Sequence, residues 1–302
     1  MVDDLLVGTL SVTAFIVLIR KLLSFPSTKD IESSATKPLQ QMGDDKAITI
    51  WGFEEAGDYP TYRLGNVDSP YVARVEAYLR LIGVPYKKMK SRGGSENPRH
   101  KVPFANIRGK MIDDSSRIIE HLQKTFSVKI DSELSKNQAA TGHLIKQTLQ
   151  GSLYWVTLHQ MFDVQEGRDI FTAHKAAEFP PIVSTFIMRM ILRGQRANLV
   201  GCGVGRLPHN EIVRKGQEDV RAISTVLGTN KFILGTPKPT SCDCDVYSFL
   251  VFLFYDDTQV VQPWVQEIKK ECSNLVDYIE RMKQLLYPEL EKFDEREKVR
   301  PK

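Results

Sequence analysis

The stretch from Asn97 to Leu122, NPRHKVPFANIRGKMIDDSSRIIEHL, constrains the fold more than any other part of the sequence. An extended run reaches Val102 and Pro103, a turn follows at Gly109, and a short strand then leads to an acid–serine pair that opens a helix. A proline after valine at the start of a strand can hold a cis peptide bond. Such a bond would turn the main-chain N–H and C=O groups of Val102 towards a ligand instead of a neighbouring strand.

Asp114 and Ser115 lie at the predicted start of the helix that carries Ile118 and Ile119. A hydroxyl, a carboxylate and the free amides of a first helical turn meet at such a place, and together they suit the α-amino-acid end of a ligand. A simpler interpretation is that the pair only caps the helix and that Pro103 only shapes a turn. Both interpretations stay open at the level of the sequence.

These residues resemble the pattern N-P-x-x-K-V-P followed by E-S-x-x-I of glutathione transferases, with Asp114 in place of the usual Glu. The resemblance implies a thioredoxin-like domain with a pocket for the main chain and the γ-glutamyl group of glutathione. Lys101, Val102, Pro103, Asp114 and Ser115 would then bind glutathione as a co-substrate. Lys101 would pair with one of its carboxylates, although a lysine at this place also fits a solvated surface.

The neighbouring patterns complete an α/β domain. Strands are predicted at residues 47–53, 86–89, 102–103 and 110–112, and helices after Ser69-Pro70 and at Asp114. The order is therefore β-α-β followed by β-β-α, which predicts a thioredoxin-like domain over residues 47–128.

From Leu134 onward the apolar runs are long and of helical period, and no second βαβ unit appears. Turns are predicted at Gly167, at Pro180-Pro181 and at residues 201–203. These patterns predict a helical domain over residues 134–290 and a charged tail over residues 291–302. The predicted fold class is α/β plus all-α: glutathione-transferase-like, with an N-terminal thioredoxin-like domain and a C-terminal helical domain.

Thr240-Ser241-Cys242-Asp243 forms a capping box with Asp instead of the usual Glu or Gln, and it predicts the start of a helix. The apolar run from Val246 to Phe254 follows at once. Because this run is too short to cross a bilayer, we expect a buried core helix.

Four segments in the right order resemble the failed axon connections family: SPYVARVEAYLRLIGVPYK, LYWVTLHQMFD, GVGRLPHNEI and LGTNKFILGTPKPTSCDCDVYSFL. That family is related to metaxins, includes cadmium-responsive proteins of nematodes, and has members with an N-terminal apolar segment. The resemblance implies the transferase-like fold. It also implies an association with axon development and metal stress, and no settled reaction.

Ser69 is the candidate catalytic residue, because the N-terminus of a helix favours a thiolate through free amides and the helix dipole. By resemblance, Ser69 in S-P-Y-V-A-R aligns with the cysteine of the omega-type C-P-F-A-x-R motif and with the catalytic serine of other classes. A hydroxyl can hydrogen-bond the sulfur of glutathione but cannot form a mixed disulfide. The alternative is that Ser69 only caps the helix ahead of Pro70.

The 41 basic and 37 acidic residues are mixed along the chain, which disfavours nucleic-acid binding. The four cysteines contain no C-x-x-C pair, which disfavours thiol–disulfide exchange and zinc modules and favours a reducing compartment. Cys242 and Cys244 form a C-x-C pair that could be read as a soft-metal site. Because two thiolates one residue apart seldom suffice, no metal site is predicted.

Residues 5–19, LLVGTLSVTAFIVLI, are uncharged and are followed by Arg20 and Lys21. Counted to Leu23, with the basic side chains snorkelling, a helix here would span about 28 Å, near the apolar thickness of a thin bilayer. We expect a membrane anchor in residues 1–25, with residues 5–23 in the membrane, and a flexible linker over residues 26–46. A cleaved signal peptide is the alternative, but the basic residues follow the apolar run instead of preceding it.

By the positive-inside rule, the basic residues after the apolar run place the bulk of the chain in the cytosol. The endoplasmic reticulum, the mitochondrial outer membrane and the lysosome all stay open as the host membrane of this single-pass protein.

The sequence thus predicts a membrane-anchored protein that binds glutathione and, if it is an enzyme, conjugates glutathione to electrophiles in detoxification or a stress response. One alternative is a non-catalytic, metaxin-like adaptor or scaffold of the same fold, with protein partners or a homodimer, in membrane-associated or neuronal development processes. A further alternative is a response factor for cadmium or metal stress.

Overall fold

The computed structural model describes residues 48–53, 69–91, 97, 101–176 and 181–289. The predicted membrane anchor, the linker and the charged tail lie outside these residues. No helix within the described ranges is both long and apolar enough to cross a membrane.

A four-stranded sheet forms the N-terminal domain, with the strands in the order β2-β1-β3-β4. The strands are β1 (Ile48–Gly52), β2 (Lys87–Lys90), β3 (Phe104–Ile107) and β4 (Lys110–Asp113). Strand β1 pairs in parallel with β2 and antiparallel with β3, and β3 pairs antiparallel with β4. Every residue of β1 and β3 is buried, as central strands require. This is the thioredoxin-like order that the sequence predicts.

Two helices pack with this sheet: α1 (Pro70–Leu81) and α2 (Ser115–Thr125). Pro70 occupies the first turn of α1, where its missing N–H costs nothing, and Ser69 is the N-cap. Gly83 follows the end of α1 with a φ of 69°, a conformation that glycine adopts without strain. Buried Ile118 and Leu122 place one face of α2 in the core.

The second domain is helical, as predicted. Its helices are α3 (Lys136–Thr148), α4 (Tyr154–Phe162), α5 (Gln165–Ala176), α6 (Pro181–Gly201), α7 (His209–Leu227), α8 (Ser241–Tyr255), α9 (Asp257–Val260), α10 (Pro263–Glu271) and α11 (Ser273–Leu286). A π-helical turn (Leu149–Leu153) joins α3 to α4, and a 3₁₀ turn (Val204–Arg206) follows α6. The predicted break near residue 201 is confirmed, since α6 ends at Gly201 and Gly203 has a φ of 93°.

The turn predicted at Gly167 is wrong, because Gly167 lies inside α5. A Cβ atom at this residue would lie 2.2 Å from the carbonyl oxygen of Gln160 in α4. The glycine therefore allows two helices to approach closely, and the chain turns just before α5, after Phe162 ends α4.

Helix α8 is the centre of the molecule, and every residue from Cys242 to Phe254 is buried. The predicted capping box is confirmed, with Thr240 as the N-cap. The Asp243 carboxylate accepts hydrogen bonds from the amides of Ile233 and Thr240, at 2.9 and 2.8 Å, and from the hydroxyls of Thr240 and Tyr278, at 2.9 and 3.1 Å. One hydrophobic core runs from Ile50 in the sheet to Leu250 in α8, so the two domains share it.

Candidate functional site in the cleft between the domains

The segment before β3 holds three of the predicted binding residues. The peptide bond between Val102 and Pro103 is cis, as the sequence predicts. The Asn97 side-chain amide donates a 2.8 Å hydrogen bond to the carbonyl oxygen of Lys101, and the Lys101 side chain is exposed. Within the described ranges, no main-chain hydrogen bond involves Val102. Its N–H and C=O groups are therefore available to an incoming main chain.

Sheet register brings this segment next to the start of α2. Phe104 in β3 lies opposite Asp113 in β4, and these two strands run antiparallel. The residues just before Phe104 and just after Asp113 therefore meet at the same end of the sheet. Val102 and Asp114, which are separated in sequence, belong to one place in the fold.

Asp114 is the N-cap of α2, and one oxygen of its exposed carboxylate accepts hydrogen bonds from the amides of Ser116 and Arg117, at 2.8 and 3.3 Å. Its φ of 67° lies in the left-handed region, which is rare for a residue other than glycine and costs energy. The capping interpretation of Asp114 is thus confirmed as geometry. The second carboxylate oxygen accepts no hydrogen bond from the described residues.

Ser115 is buried, and its hydroxyl oxygen accepts a 3.0 Å hydrogen bond from the Arg74 guanidinium. Arg74 also donates a 3.0 Å hydrogen bond to the Ser116 hydroxyl. Its Nε atom donates to the carboxylate of Asp245 in α8, and both side chains are buried. Arg74 therefore ties α1 to the start of α2 and to the helical domain.

Sequence reasoning assigned no role to Arg74 or Asp245. A signal is present for each: Arg74 interrupts the apolar residues of α1, and Asp245 follows the capping Asp243 at the head of an apolar helix. Burial raises the pKa of the Asp245 carboxyl, and the Arg74 guanidinium acts against that rise. An ion pair that is buried and hydrogen-bonded at both ends is costly to break.

Ser69 lies at the N-terminus of α1, and its hydroxyl oxygen accepts a 3.3 Å hydrogen bond from the amide of Tyr71. Its carbonyl oxygen accepts hydrogen bonds from the amides of Val72 and Ala73, at 2.8 and 3.0 Å. Because Pro70 has no N–H, Ser69 alone satisfies every amide of the first turn. The expectation of free amides for a thiolate is therefore wrong for residues 71–73, and the capping alternative for Ser69 is confirmed as geometry.

Aromatic rings from both domains meet beside Ser69. The Tyr71 ring packs edge-on against Tyr154 of α4 and Phe249 of α8, with centroids 5.0 and 5.3 Å apart. Trp155 packs against Tyr154 at 5.5 Å. Burial raises the pKa of the Tyr71 hydroxyl, and it raises the pKa of the Tyr154 hydroxyl to about 12. Both phenols are therefore neutral at physiological pH, and they give the cleft an apolar wall.

Lys146 of α3 adds a positive charge to the same cleft. Its side chain is half-buried, and desolvation lowers the pKa of its amine, with Arg74 adding to the effect. The carboxylates of Asp245 and Asp114 act in the opposite direction, since both stabilise the charged amine. This residue was not predicted, because its proximity to Asp114 depends on how the two domains pack.

The C-x-C pair supplies no accessible thiolate to this cleft. Cys242 and Cys244 are buried in α8, where desolvation raises the pKa of each thiol well above its usual range. In the described part of the chain, no three His, Cys, Asp or Glu residues are grouped in a way that could hold a metal ion.

Family models and curated relatives agree with this fold. A glutathione S-transferase N-terminal domain matches residues 70–167, and a glutathione S-transferase C-terminal domain matches residues 216–282. The chain is 25% identical over 231 residues to Failed axon connections of Drosophila melanogaster, which covers 73% of this chain and 55% of that protein. The chain therefore spans only about half the length of that relative. The predicted resemblance to this family is confirmed.

A second relative is matched over nearly its whole length. Isoprene-epoxide--glutathione S-transferase of Rhodococcus sp. (strain AD45) is 29% identical over 247 residues, which covers 78% of this chain and 98% of that protein.

Solved structures share the fold. Beta-etherase LigF from Sphingobium sp. strain SYK-6 has a TM-score of 0.53 and 14% identity, covering 82% of this chain and 99% of the other. Rice GST1 (OsGSTU1), solved in complex with glutathione, has a TM-score of 0.50 and 14% identity, covering 80% and 88%. With its sheet order, its domain arrangement and these matches, the chain belongs to the glutathione S-transferase superfamily.

Proposed function

We propose that the cleft binds glutathione through Lys101, Val102, Pro103, Asp114 and Ser115. The observation that carries this proposal is the register of β3 and β4, which brings Val102 to the capped start of α2. Among the described residues, none forms a main-chain hydrogen bond with Val102. A peptide ligand that ends in an α-amino acid matches both features. The Val102 main chain can pair with the ligand's main chain, and the start of α2 can bind the ligand's amine and carboxylate.

Each part of glutathione has a partner of fitting chemistry. The γ-glutamyl amine binds the Asp114 carboxylate, and the γ-glutamyl carboxylate binds the start of α2 at Ser115, where the dipole favours negative charge. The cysteinyl main chain pairs with Val102. The exposed Lys101 amine pairs with the terminal carboxylate, and the sulfur then points towards Ser69.

Ser69 is the proposed catalytic residue. Its hydroxyl oxygen accepts a hydrogen bond from the Tyr71 amide, and the proposed role is donation of the hydroxyl hydrogen to the glutathione sulfur. A hydrogen bond donated to the sulfur strengthens once the thiolate forms, and this lowers the pKa of the glutathione thiol. The first turn of α1 has no acidic residue that would oppose this charge.

The second substrate is an apolar electrophile. The wall formed by Tyr71, Tyr154 and Trp155 supports this assignment, since all three side chains are only partly buried. The relative from Rhodococcus also supports it, because its name specifies an isoprene epoxide. With an epoxide as the electrophile, the glutathione thiolate would form a carbon–sulfur bond while one ring carbon–oxygen bond breaks, and the released oxygen would take up a proton to become a hydroxyl.

The test is conjugation of glutathione to a general aromatic electrophile by the purified full chain. We expect turnover above the uncatalysed rate, and we expect it to vanish when glutathione is omitted. Binding of glutathione without turnover would instead support a second candidate function, a non-catalytic adaptor of the same fold. Two observations favour that candidate: Ser69 already satisfies the first-turn amides of α1, and Failed axon connections is a relative.

We also propose that residues 5–23 anchor the protein in a membrane, with the folded domains facing the cytosol. The uncharged run and the basic residues that follow it support this topology. Cys242, Cys244 and Cys272 are free and lie in the core that the two domains share, which is consistent with a reducing compartment.

A further inference from the structure

An open groove of about 1040 Å³ lies between α5 and α6, and it shares no residue with the cleft described above. Its floor is apolar and includes Phe162, Met188 and Leu192. Four arginines line it: Arg168, Arg189, Arg193 and Arg196. A surface that combines an apolar floor with a basic rim is suited to a ligand with an acidic head and an apolar body.

The charges of this groove are only partly compensated. Arg196 forms an ion pair with Asp163, and Arg168 donates a hydrogen bond to Gln165. Arg189 and Arg193 form no hydrogen bond or ion pair with any residue that the structure describes. Helix α6 contains three arginines and no acidic residue over its 21 positions. Two fixed positive charges therefore face outward without a counter-charge on their own helix.

Apolar side chains are exposed on the same helix. Val183, Phe186 and Val200 are 42%, 44% and 36% exposed. Residues 186, 193 and 200 follow one another at seven-residue spacing, so Phe186, Arg193 and Val200 share one face of α6. Apolar and basic groups thus alternate along a single stripe instead of forming separate patches.

We propose that this stripe and the groove beside it dock on a bilayer that contains anionic phospholipids. Arg189 and Arg193 would bind the acidic headgroups, while Val183 and Phe186 would enter the boundary between headgroups and acyl chains. Basic residues beside exposed apolar residues are suited to a membrane surface, because the basic groups bind acidic headgroups while the apolar groups enter the boundary beneath them. We favour the bilayer because its acidic headgroups and its apolar boundary lie next to each other along the whole surface, as the basic and apolar groups do along α6. An acidic protein is the alternative that the experiment below distinguishes.

The attraction of each arginine to an anionic surface sets the size of the expected loss of docking. Each basic residue near an anionic surface contributes about 1 kcal/mol, so removing two should lower the ratio of docked to undocked protein about 30-fold. Salt should weaken docking, because it screens charges beyond about 10 Å at 0.1 M ionic strength.

The experiment uses the full chain in lipid nanodiscs made of phosphatidylcholine alone or of phosphatidylcholine with phosphatidylserine. Hydrogen–deuterium exchange is followed in α5 and α6. We expect slower exchange in both helices in the anionic discs, and the difference should disappear in Arg189→Gln/Arg193→Gln. A matched control is Arg214→Gln/Lys238→Gln, which removes the same charge at exposed residues outside the groove.

The control variant should keep the protection of the wild type. Equal exchange in the two kinds of disc would overturn the proposal, as would equal loss of protection in both double variants. Protection that appears only when an acidic protein is added would show a protein-binding surface instead. Because both discs carry the same chain, the comparison holds whether or not residues 5–23 insert, and it is independent of glutathione binding.

Discussion

The Arg74 guanidinium of α1 donates a hydrogen bond to the Asp245 carboxylate of α8, and both side chains are buried. This pair joins the thioredoxin-like domain to the centre of the helical domain. Through Nη1, Arg74 also donates hydrogen bonds to the hydroxyls of Ser115 and Ser116 at the start of α2. The domain interface and the proposed glutathione site therefore depend on the same side chain.

Replacing one partner of this pair should leave the other charge buried and unpaired. We expect Arg74→Met to lower the free energy of unfolding by about 3–5 kcal/mol. The double variant Arg74→Met/Asp245→Leu should recover part of that loss, because neither charge then remains in the core. Urea denaturation of the wild type, both single variants and the double variant measures this coupling. Strictly additive losses would show that the two side chains do not interact.

Removal of the Ser69 hydroxyl should affect turnover more than binding. We expect Ser69→Ala and Ser69→Gly to lower kcat about 10-fold to 100-fold, with little change in KM for glutathione, because the hydrogen bond strengthens only on the charged sulfur. Glycine is a tolerated N-cap, whereas alanine costs about 1 kcal/mol of stability. The two variants together separate catalysis from capping. If Ser69→Gly keeps full activity, Ser69 is only a cap.

The capping boxes at Ser135 and Thr240 differ in burial, and this difference predicts different costs. Asp243 accepts four hydrogen bonds in the core, so Asp243→Ala should cost about 3 kcal/mol or more through unsatisfied donors. Ser135 caps α3 at an exposed position, and Ser135→Ala should cost only about 1 kcal/mol. Thermal denaturation of both variants tests whether Asp243→Ala costs more stability than Ser135→Ala. A similar cost for the two would refute the role given to Asp243.

The proposed anchor predicts how the protein fractionates. The full chain should resist alkaline carbonate extraction, because residues 5–23 span the bilayer, whereas a chain that begins at Ser27 should be extracted. Protease added to intact organelles should digest the folded domains, since they face the cytosol. Protection of the C-terminal domain, or a mature protein that begins near Phe25, would contradict this topology.

Local signals in the sequence predict most of the fold. Val102-Pro103, the acid–serine pair at Asp114 and the capping box at Thr240 each act over a few residues, and the structure has all three in the predicted conformation. Gly167 lies at a close contact between helices and not at the predicted turn, because glycine is typical of both. The local pattern contains nothing that separates these two uses.

The remainder of the site depends on contacts between residues that are distant in sequence. Arg74 and Asp245 are 171 residues apart, so only the packing of the two domains shows that they meet. The same packing brings Lys146 near Asp114 and Tyr154 onto Tyr71. The capping of α1 by Ser69 is one of the two alternatives that the sequence leaves open, and the structure shows it directly.

Titration calorimetry with glutathione tests the central claim most directly, with the wild-type chain beside Asp114→Asn and a control. The control is Glu133→Gln, which removes one negative charge at another exposed residue. Asparagine keeps the cap and tolerates the left-handed φ of this position, so Asp114→Asn removes the charge with little change in the backbone. We predict that the wild type and Glu133→Gln bind glutathione equally, and that Asp114→Asn loses about 1.5–3 kcal/mol of binding free energy. No heat of binding at millimolar glutathione in the wild type, or equal affinity in all three proteins, would contradict the account.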